Sequence, residues 1–559
     1  MYNELKNKST AVRAEMLTRR LVGIKSYTGS SGEAEKVKEI YSIIQSFPYF
    51  QQHPEDVWIQ PIDGDPYHRI NVWAKLKGRQ KKTVLFHSHI DTVETDDFGT
   101  LQSLAHDPDA LQEYFSTYDG DQRVKEQALS GEWLFGRGSL DMQSGAAIHL
   151  TNLLELSEQK EPLDGTMLFL FNPDEESEHA GMLAALQELQ RMKEEGLKYV
   201  AAINNDFIAP MHDTDDTKYI YTGAAGKVLP SFYIYGREAH VGDVLTSIDP
   251  TLVGSEINRK INQNLDLVEE LEGEYVLPPA CLYFKEDKHS YNVQTAVSAR
   301  MYFNYFVFEQ TAKDVMDKLL SVTRETVEEL RIQSERRYDE FRIHHGFPPS
   351  KWKWEVGVCT YEDLQNELNE KGLPVDEVLD RVASEWKGKD RREASFALVE
   401  ALQQLDPDKK PRVILFFAPP FLPHNYLNEQ YEYGAEIREK LVRRLEVVAA
   451  ESKETFATKR FFPYLADGSY LSLHESEEEV NVLKKNMPRM SDIYPLPIDL
   501  IRSVNIPSIN IGVYGRDGHK WTERVYKPYT FHVLPGLIKD FALDLVAKKE
   551  PGTKVSQAL

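Results

Sequence analysis

Short, almost wholly apolar runs alternate with segments of helical periodicity through the first 220 or so residues. Thr83 to Phe86, Met167 to Phe171 and Val200 to Ile203 are too short for helices and predict strands buried on both faces. Between them, Ala146 to Leu156 and Met182 to Met192 place apolar residues three and four apart, the spacing of a helix with a buried side. That rhythm predicts an α/β domain with a mixed, largely parallel sheet flanked by helices. In such sheets ligands meet the polar residues just beyond the carboxyl ends of the strands.

The texture changes at about Lys227. Leu229 to Gly236 predicts a strand, Pro250 to Leu265 a helix, and Asn292 to Phe308 one or two strands. Ala312, Val315, Met316, Leu319, Leu320, Val327 and Leu330 then share one face of a long helix, and Val413 to Ala418 predicts a strand ended by Pro419 and Pro420. This order predicts a smaller α+β domain. Residues 341–410 form a polar, helix-rich stretch with Pro348-Pro349, Trp352, Trp354 and Trp386, expected to be inserted into that domain, the tryptophans serving as buried anchors or as an interface. From Tyr431 the α/β texture returns and closes with a helix bearing Leu534, Leu537, Phe541 and Leu545. The predicted organisation is one α/β domain, residues 1–226 and 425–559, interrupted by a smaller domain at 227–424.

Composition narrows the classes. A net charge of -23, from 66 basic and 89 acidic residues, argues against a nucleic-acid binder, which needs a basic surface for phosphates. Two cysteines, Cys281 and Cys359, stand far apart, so neither a disulfide framework nor a thiolate metal site is expected. A charged amino-terminal segment and the lack of any apolar run near about 18 residues predict a cytoplasmic chain without membrane contact.

Five polar segments follow apolar runs. Ser88-His89-Ile90-Asp91 comes first; an imidazole facing a metal needs its other nitrogen fixed, and Asp91 is placed to fix it. Asp141 stands among glycines in Gly136-Arg-Gly-Ser-Leu-Asp141, directly before a helix. Asp174-Glu175-Glu176 leaves the strand ending at Phe171, an arrangement that calls for cations or protons. Asp206 follows the strand Val200 to Ile203, and His519 follows the apolar run Ile509 to Val513. Singly these read as a structural histidine, a turn aspartate or a solvated acidic loop. Together, two imidazoles and three carboxylates at five strand ends suit zinc, or manganese or cobalt.

The five segments, in this order and on this topology, resemble the co-catalytic zinc peptidase and acylase family, which includes glutamate carboxypeptidase, aminoacylase, peptidase T and succinyl-diaminopimelate desuccinylase. The resemblance implies two Zn2+ ions held by His89, Asp141, Glu176, Asp206 and His519, with Asp141 between them and followed by a cis peptide. It implies Asp91 as the group orienting His89, and Glu175 as the general base. The smaller domain would be a lid and a possible homodimer surface, with His240 of Ala239-His240-Val241-Gly242 contacting substrate, and Arg300 and Asn292 as further substrate contacts. The sequence departs from the family at Ser88 (usually glycine), at Gln143 (usually lysine), at Ser298-Ala299-Arg300 (usually Asp-x-Arg) and in the insertion. Length and insertion resemble most an arginine-utilisation branch. The implied activity is hydrolysis of an amide bond in a small peptide or N-acyl amino acid, in arginine or amino-acid catabolism. The other reading is a non-catalytic, metal-containing binding or regulatory protein on the same fold.

Overall fold

A computed structural model of the chain describes residues 1–348, 350–462 and 466–548. Pro349 of the Pro-Pro pair, and the part of the 425–559 segment beyond residue 548, lie outside the described residues. Chain contacts divide the protein into two compact units: Met1–Ala224 with Asn425–Leu473 and Ile498–Leu559, and Ala225–His424 with His474–Pro497.

The first unit is built on an eight-stranded mixed sheet flanked by helices. Its order is Val57–Pro61, Ile70–Leu76, Thr166–Asn172, Lys82–His89, Lys198–Asn204, Ser508–Asn510, Lys218–Tyr221, Phe456–Lys459. The four central strands run parallel; Val57–Pro61 and Ile70–Leu76 add antiparallel pairs on one side, and Lys218–Tyr221 meets Ser508–Asn510 antiparallel and Phe456–Lys459 parallel on the other. Every residue of Thr166–Asn172 is buried, as expected for a strand covered on both faces. Gln143–Ser157 is buried almost all round, so it is a helix inside the unit rather than on its rim. Thr10–Val22 and Leu534–Val546 pack on it, while Ser31–Gln45 lies against the strands Val57–Pro61, Ile70–Leu76 and Thr166–Asn172. Ser31–Gln45 begins with a capping box in which Ser30 and Glu33 satisfy each other's backbone N–H groups.

The second unit holds a five-stranded sheet ordered Ala280–Glu286, Ser298–Val307, Gly226–Tyr235, Arg412–Leu422, Gly357–Thr360, antiparallel except for the last pair. The helix-rich segment is part of this unit's core. Tyr361–Glu370, Val375–Trp386 and Arg391–Leu405 bury Leu364, Leu379, Phe396 and Val399 against Leu229, Tyr233, Ile414 and Phe416 of the sheet. Trp354 is buried and Trp386 packs on the same core, so both are anchors.

Three elements differ from expectation. Ala280–Glu286 is a strand that the sequence did not mark, and its exposure pattern lacks a clean alternation. Arg412–Leu422 continues through Pro419 and Pro420, because the register slips between Ala418 and Leu422 and frees those positions from ladder donation. His474–Pro497, expected with the flanking segments, joins the second unit: Asn486 Oδ1 accepts from the Glu362 N–H at 3.1 Å, and Arg489 pairs with Asp380 at 2.6 Å.

Candidate metal centre

Parallel pairing delivers the first part of the site. His89, at the end of its strand, stands in register with Asn172, and His87 with Asn204, which in turn pairs with Asn510. Asp174 to Glu176 and Asp206 therefore emerge at one edge of the sheet beside His89. Asn510 Nδ2 donates to the Asp206 carbonyl at 3.0 Å. A Cβ at residue 512 would lie 1.9 Å from that carbonyl oxygen, so only glycine fits.

Asp141 and His519 arrive on two loops that share an antiparallel strand pair, Trp133–Phe135 with Arg524–Tyr526. The peptide Asp141–Met142 is cis. The ligand-type atoms converge: His89 Nε2 lies 3.1 Å from Asp141 Oδ1, and His519 Nε2 lies 2.9 Å from both Asp141 Oδ2 and Glu176 Oε1. Donor atoms of His89, Asp141 and Asp206 lie within 4.8 Å of one another; so do those of Asp141, Glu176 and His519, and those of His89, Glu175 and Glu176. Asp141 thus turns one oxygen to each histidine.

Asp91 organises the site from behind. Its Oδ1 and Oδ2 accept the backbone N–H groups of Glu175 and Glu176, each at 3.1 Å, and its Oδ1 lies 3.5 Å from His89 Nδ1. The same loop is held by Asp174, which pairs with Arg69 and accepts the Ala180 N–H at 3.0 Å.

Charge is the unsolved part of this arrangement. Burial pushes Glu175 well above the usual carboxylate range, helped by Asp206 and Glu176, and burial with Asp141 does the same to Asp206. Burial opposes charge on His519, but its carboxylate partners Asp141 and Glu176 win and hold it up at about 11. Burial works against the Asp141 carboxylate too, yet the two histidines hold it below its ordinary range. Glu175 Oε1 is buried without a hydrogen bond, and the buried His89 ring faces carboxylates on both sides, Asp141 at Nε2 and Asp91 at Nδ1. Protons stand where cations would serve better: carboxylates and imidazoles at this spacing fit a pair of divalent ions.

The other predicted residues lie in the second unit. His240 is exposed and its Nδ1 accepts the Gly242 N–H at 3.1 Å, leaving Nε2 as the protonated nitrogen. Asn292 is exposed, and its side chain accepts from the Gln294 N–H at 3.2 Å. Arg300 is engaged by Glu393 at 3.1 Å and Glu400 at 2.7 Å.

Residues 85–476 match the peptidase family M20/M25/M40. The chain belongs to that family. The M20/M25/M40 match is reinforced by protein RocB of Bacillus subtilis (strain 168), 49% identical over 98% of this chain and 97% of that one. The uncharacterized protein YqjN of the same organism is 32% identical over 95% of each. Among solved structures, aminopeptidase PepT of Bacillus cereus ATCC 10987 shares the fold, with a TM-score of 0.50 at 12% identity over 96% of this chain and 99% of that one. Membership makes the protein a hydrolase of the metallopeptidase class.

The sequence reading missed two acidic residues at this M20/M25/M40 site. Glu523 accepts the Leu140 and Asp141 N–H groups at 3.0 and 3.1 Å. Asp467 accepts from Asn172 at 2.6 Å and lies 2.9 Å from His179 Nδ1. Each is a lone acid in a short segment without a strand-end signal; the one available hint for Glu523 was its place four residues after His519.

Proposed function

We propose that the chain is a two-metal hydrolase that cleaves an amide bond in a small peptide or N-acyl amino acid. The observation that supports this most is Asp141, with one carboxylate oxygen toward His89 and the other toward His519, next to a buried Glu175 whose Oε1 has no partner. His89, Asp141 and Asp206 would hold one ion, and Asp141, Glu176 and His519 the other. Zinc suits the mixed nitrogen and oxygen donors, as do manganese and cobalt. Bound divalent ions supply Lewis acidity, which lowers the pKa of water from ~15.7 toward ~7 and polarises a carbonyl.

The chain's own groups handle the proton and the geometry. Glu175 takes a proton from the attacking water and returns it to the leaving amine, a task for a carboxylate whose pKa burial has raised. Asp91 keeps Glu175 and Glu176 in place through their backbone N–H groups and fixes the His89 ring. His240, with its Nε2–H free to donate, is assigned to a substrate oxygen. A pure binding protein has no use for an unpartnered carboxylate beside its metal donors, and this favours catalysis.

The test has two arms. Purified protein is assayed for bound metal, and metal-stripped protein is then titrated with zinc, manganese and cobalt. Loaded protein is next screened against dipeptides and N-acyl amino acids, with arginine and ornithine derivatives included because of the resemblance noted above. Two ions per chain and release of a free amine are expected. No metal bound at neutral pH, or no turnover with both ions in place, would sink the proposal.

A further inference from the structure

Glu523 is fully buried and stands at the mouth of the strand pair from which both loops leave. One loop, Gly136 to Asp141, follows Trp133–Phe135; the other, Gly515 to Glu523, precedes Arg524–Tyr526. Both carboxylate oxygens are in use. Oε1 accepts from the N–H of Leu140 at 3.0 Å and of Asp141 at 3.1 Å; Oε2 takes Arg137 Nη1 at 2.7 Å. The Glu523 carbonyl accepts the Gly136 N–H at 3.2 Å, so backbone and side chain grip the opposite loop together. Arg137 is itself buried, and also donates to Asp97 Oδ1 at 2.8 Å and the Glu94 carbonyl at 3.2 Å.

His519 sits on a tight, partly exposed loop. Its side chain is 47% exposed, and its loop holds Asp517 and His519 at positive φ, 61° and 63°. The outer end of this loop is tied by Asp517 to Arg524 at 2.6 Å. The inner end is held by the Glu523 N–H on the Lys520 carbonyl at 2.9 Å, and Glu523 joins it to Asp141, the residue that must share a ligand sphere with His519.

We infer that Glu523 is a positioning residue that locks the Asp141 and His519 loops into one frame, and so controls the metal position formed by Asp141, Glu176 and His519. This rests on the proposed two-metal reading of the same site. The acceptor chemistry is specific. Both flanks of the side chain present donors, so an amide must set its NH2 against a donor whichever way it turns. Glu523→Gln therefore breaks the lock at constant size.

Metal-stripped wild type, E523Q and E523D are titrated with Co2+, followed by visible absorption and by calorimetry, with thermal melts of each metal-free protein. Wild type is expected to take up two ions. E523Q should bind the ion at Asp141, Glu176 and His519 about 10–100-fold more weakly, the usual effect of losing a group that orients a ligand, and the ion at His89, Asp141 and Asp206 by a clearly smaller factor. E523D, which still offers acceptors to both flanks but reaches less far, should fall between the two. Should E523Q not fold, the same comparison is read from E523D alone. Two ions bound with wild-type affinity overturns the inference, and so does equal weakening of both ions, which indicates general loosening. If wild type itself binds no Co2+, the two-metal reading fails instead.

Discussion

Glu175→Gln separates catalysis from construction. The substitution keeps the side-chain shape and removes the group that can accept a proton. Glu175 Oε1 has no hydrogen-bond partner, so no contact of that atom is lost. Burial, with Asp206, Glu176 and Asp467, already pushes Glu175 toward its neutral form in the metal-free protein, and an amide matches that form. The metal-free variant should therefore melt no lower than wild type, and it should still bind two ions, since the donors of His89, Asp141, Asp206, Glu176 and His519 are untouched. The proton transfer is another matter. A positioned general base is worth about 10²- to 10⁴-fold, or about 3 to 5 kcal/mol of barrier at about 1.4 kcal/mol per decade. The assay is kcat on a substrate from the screen, with metal content measured on the same sample. A variant with both ions bound and kcat within about threefold of wild type would falsify the role of Glu175.

Other consequences of the same geometry are open to measurement. Without metal, His519 holds a proton up to about pH 11 and Glu175 and Asp206 are pushed toward their protonated forms; ions must displace those protons, so affinity should rise with pH by about one decade per unit for each proton released. Calorimetry in two buffers of different ionisation enthalpy counts them, and a pH-independent affinity contradicts the charge assignment. Gly512→Ala sets a Cβ 1.9 Å from the Asp206 carbonyl and should cost about 1–3 kcal/mol of stability, together with metal binding; denaturant midpoint and metal content report the two effects, and normal values for both would mean the strand end yields freely. Phe86→Ala, at a fully buried ring stacked 4.4 Å from Phe169, should destabilise the protein by about 3–5 kcal/mol. A shift in denaturation midpoint far below that range would place Phe86 outside the cooperative core.

The strands that carry the site were legible because both of their faces are covered: Met167 to Phe171 could only be a central strand, and the acids after it had to fall at a sheet edge. The convergence of His89, Glu176 and Asp206 follows from parallel register, which the apolar runs imply. Less legible were residues whose partners are remote in sequence. Arg137 and Glu523 meet although 386 positions separate them in the sequence, and neither lies in a periodic segment. The edge strand Ala280–Glu286 escaped notice because its exposed Leu282 and Phe284 spoil any alternation. The role of His474–Pro497 was hidden for a related reason: Asn486 and Arg489 find their partners in helices that precede them by more than a hundred residues.

The place of Ser508–Asn510 in the large sheet bears on biogenesis. This strand lies between Lys198–Asn204 and Lys218–Tyr221, yet it is made some three hundred residues after its parallel neighbour. During synthesis the half-sheet ending at Lys198–Asn204 waits with an open edge, the kind of surface that invites wrong pairing. Insertion of Ser508–Asn510 closes that gap, and His519 follows within a few residues. The donor set proposed above is therefore complete only once this strand and His519 have been made, so a chain cut before Ser508 would lack one of its imidazoles.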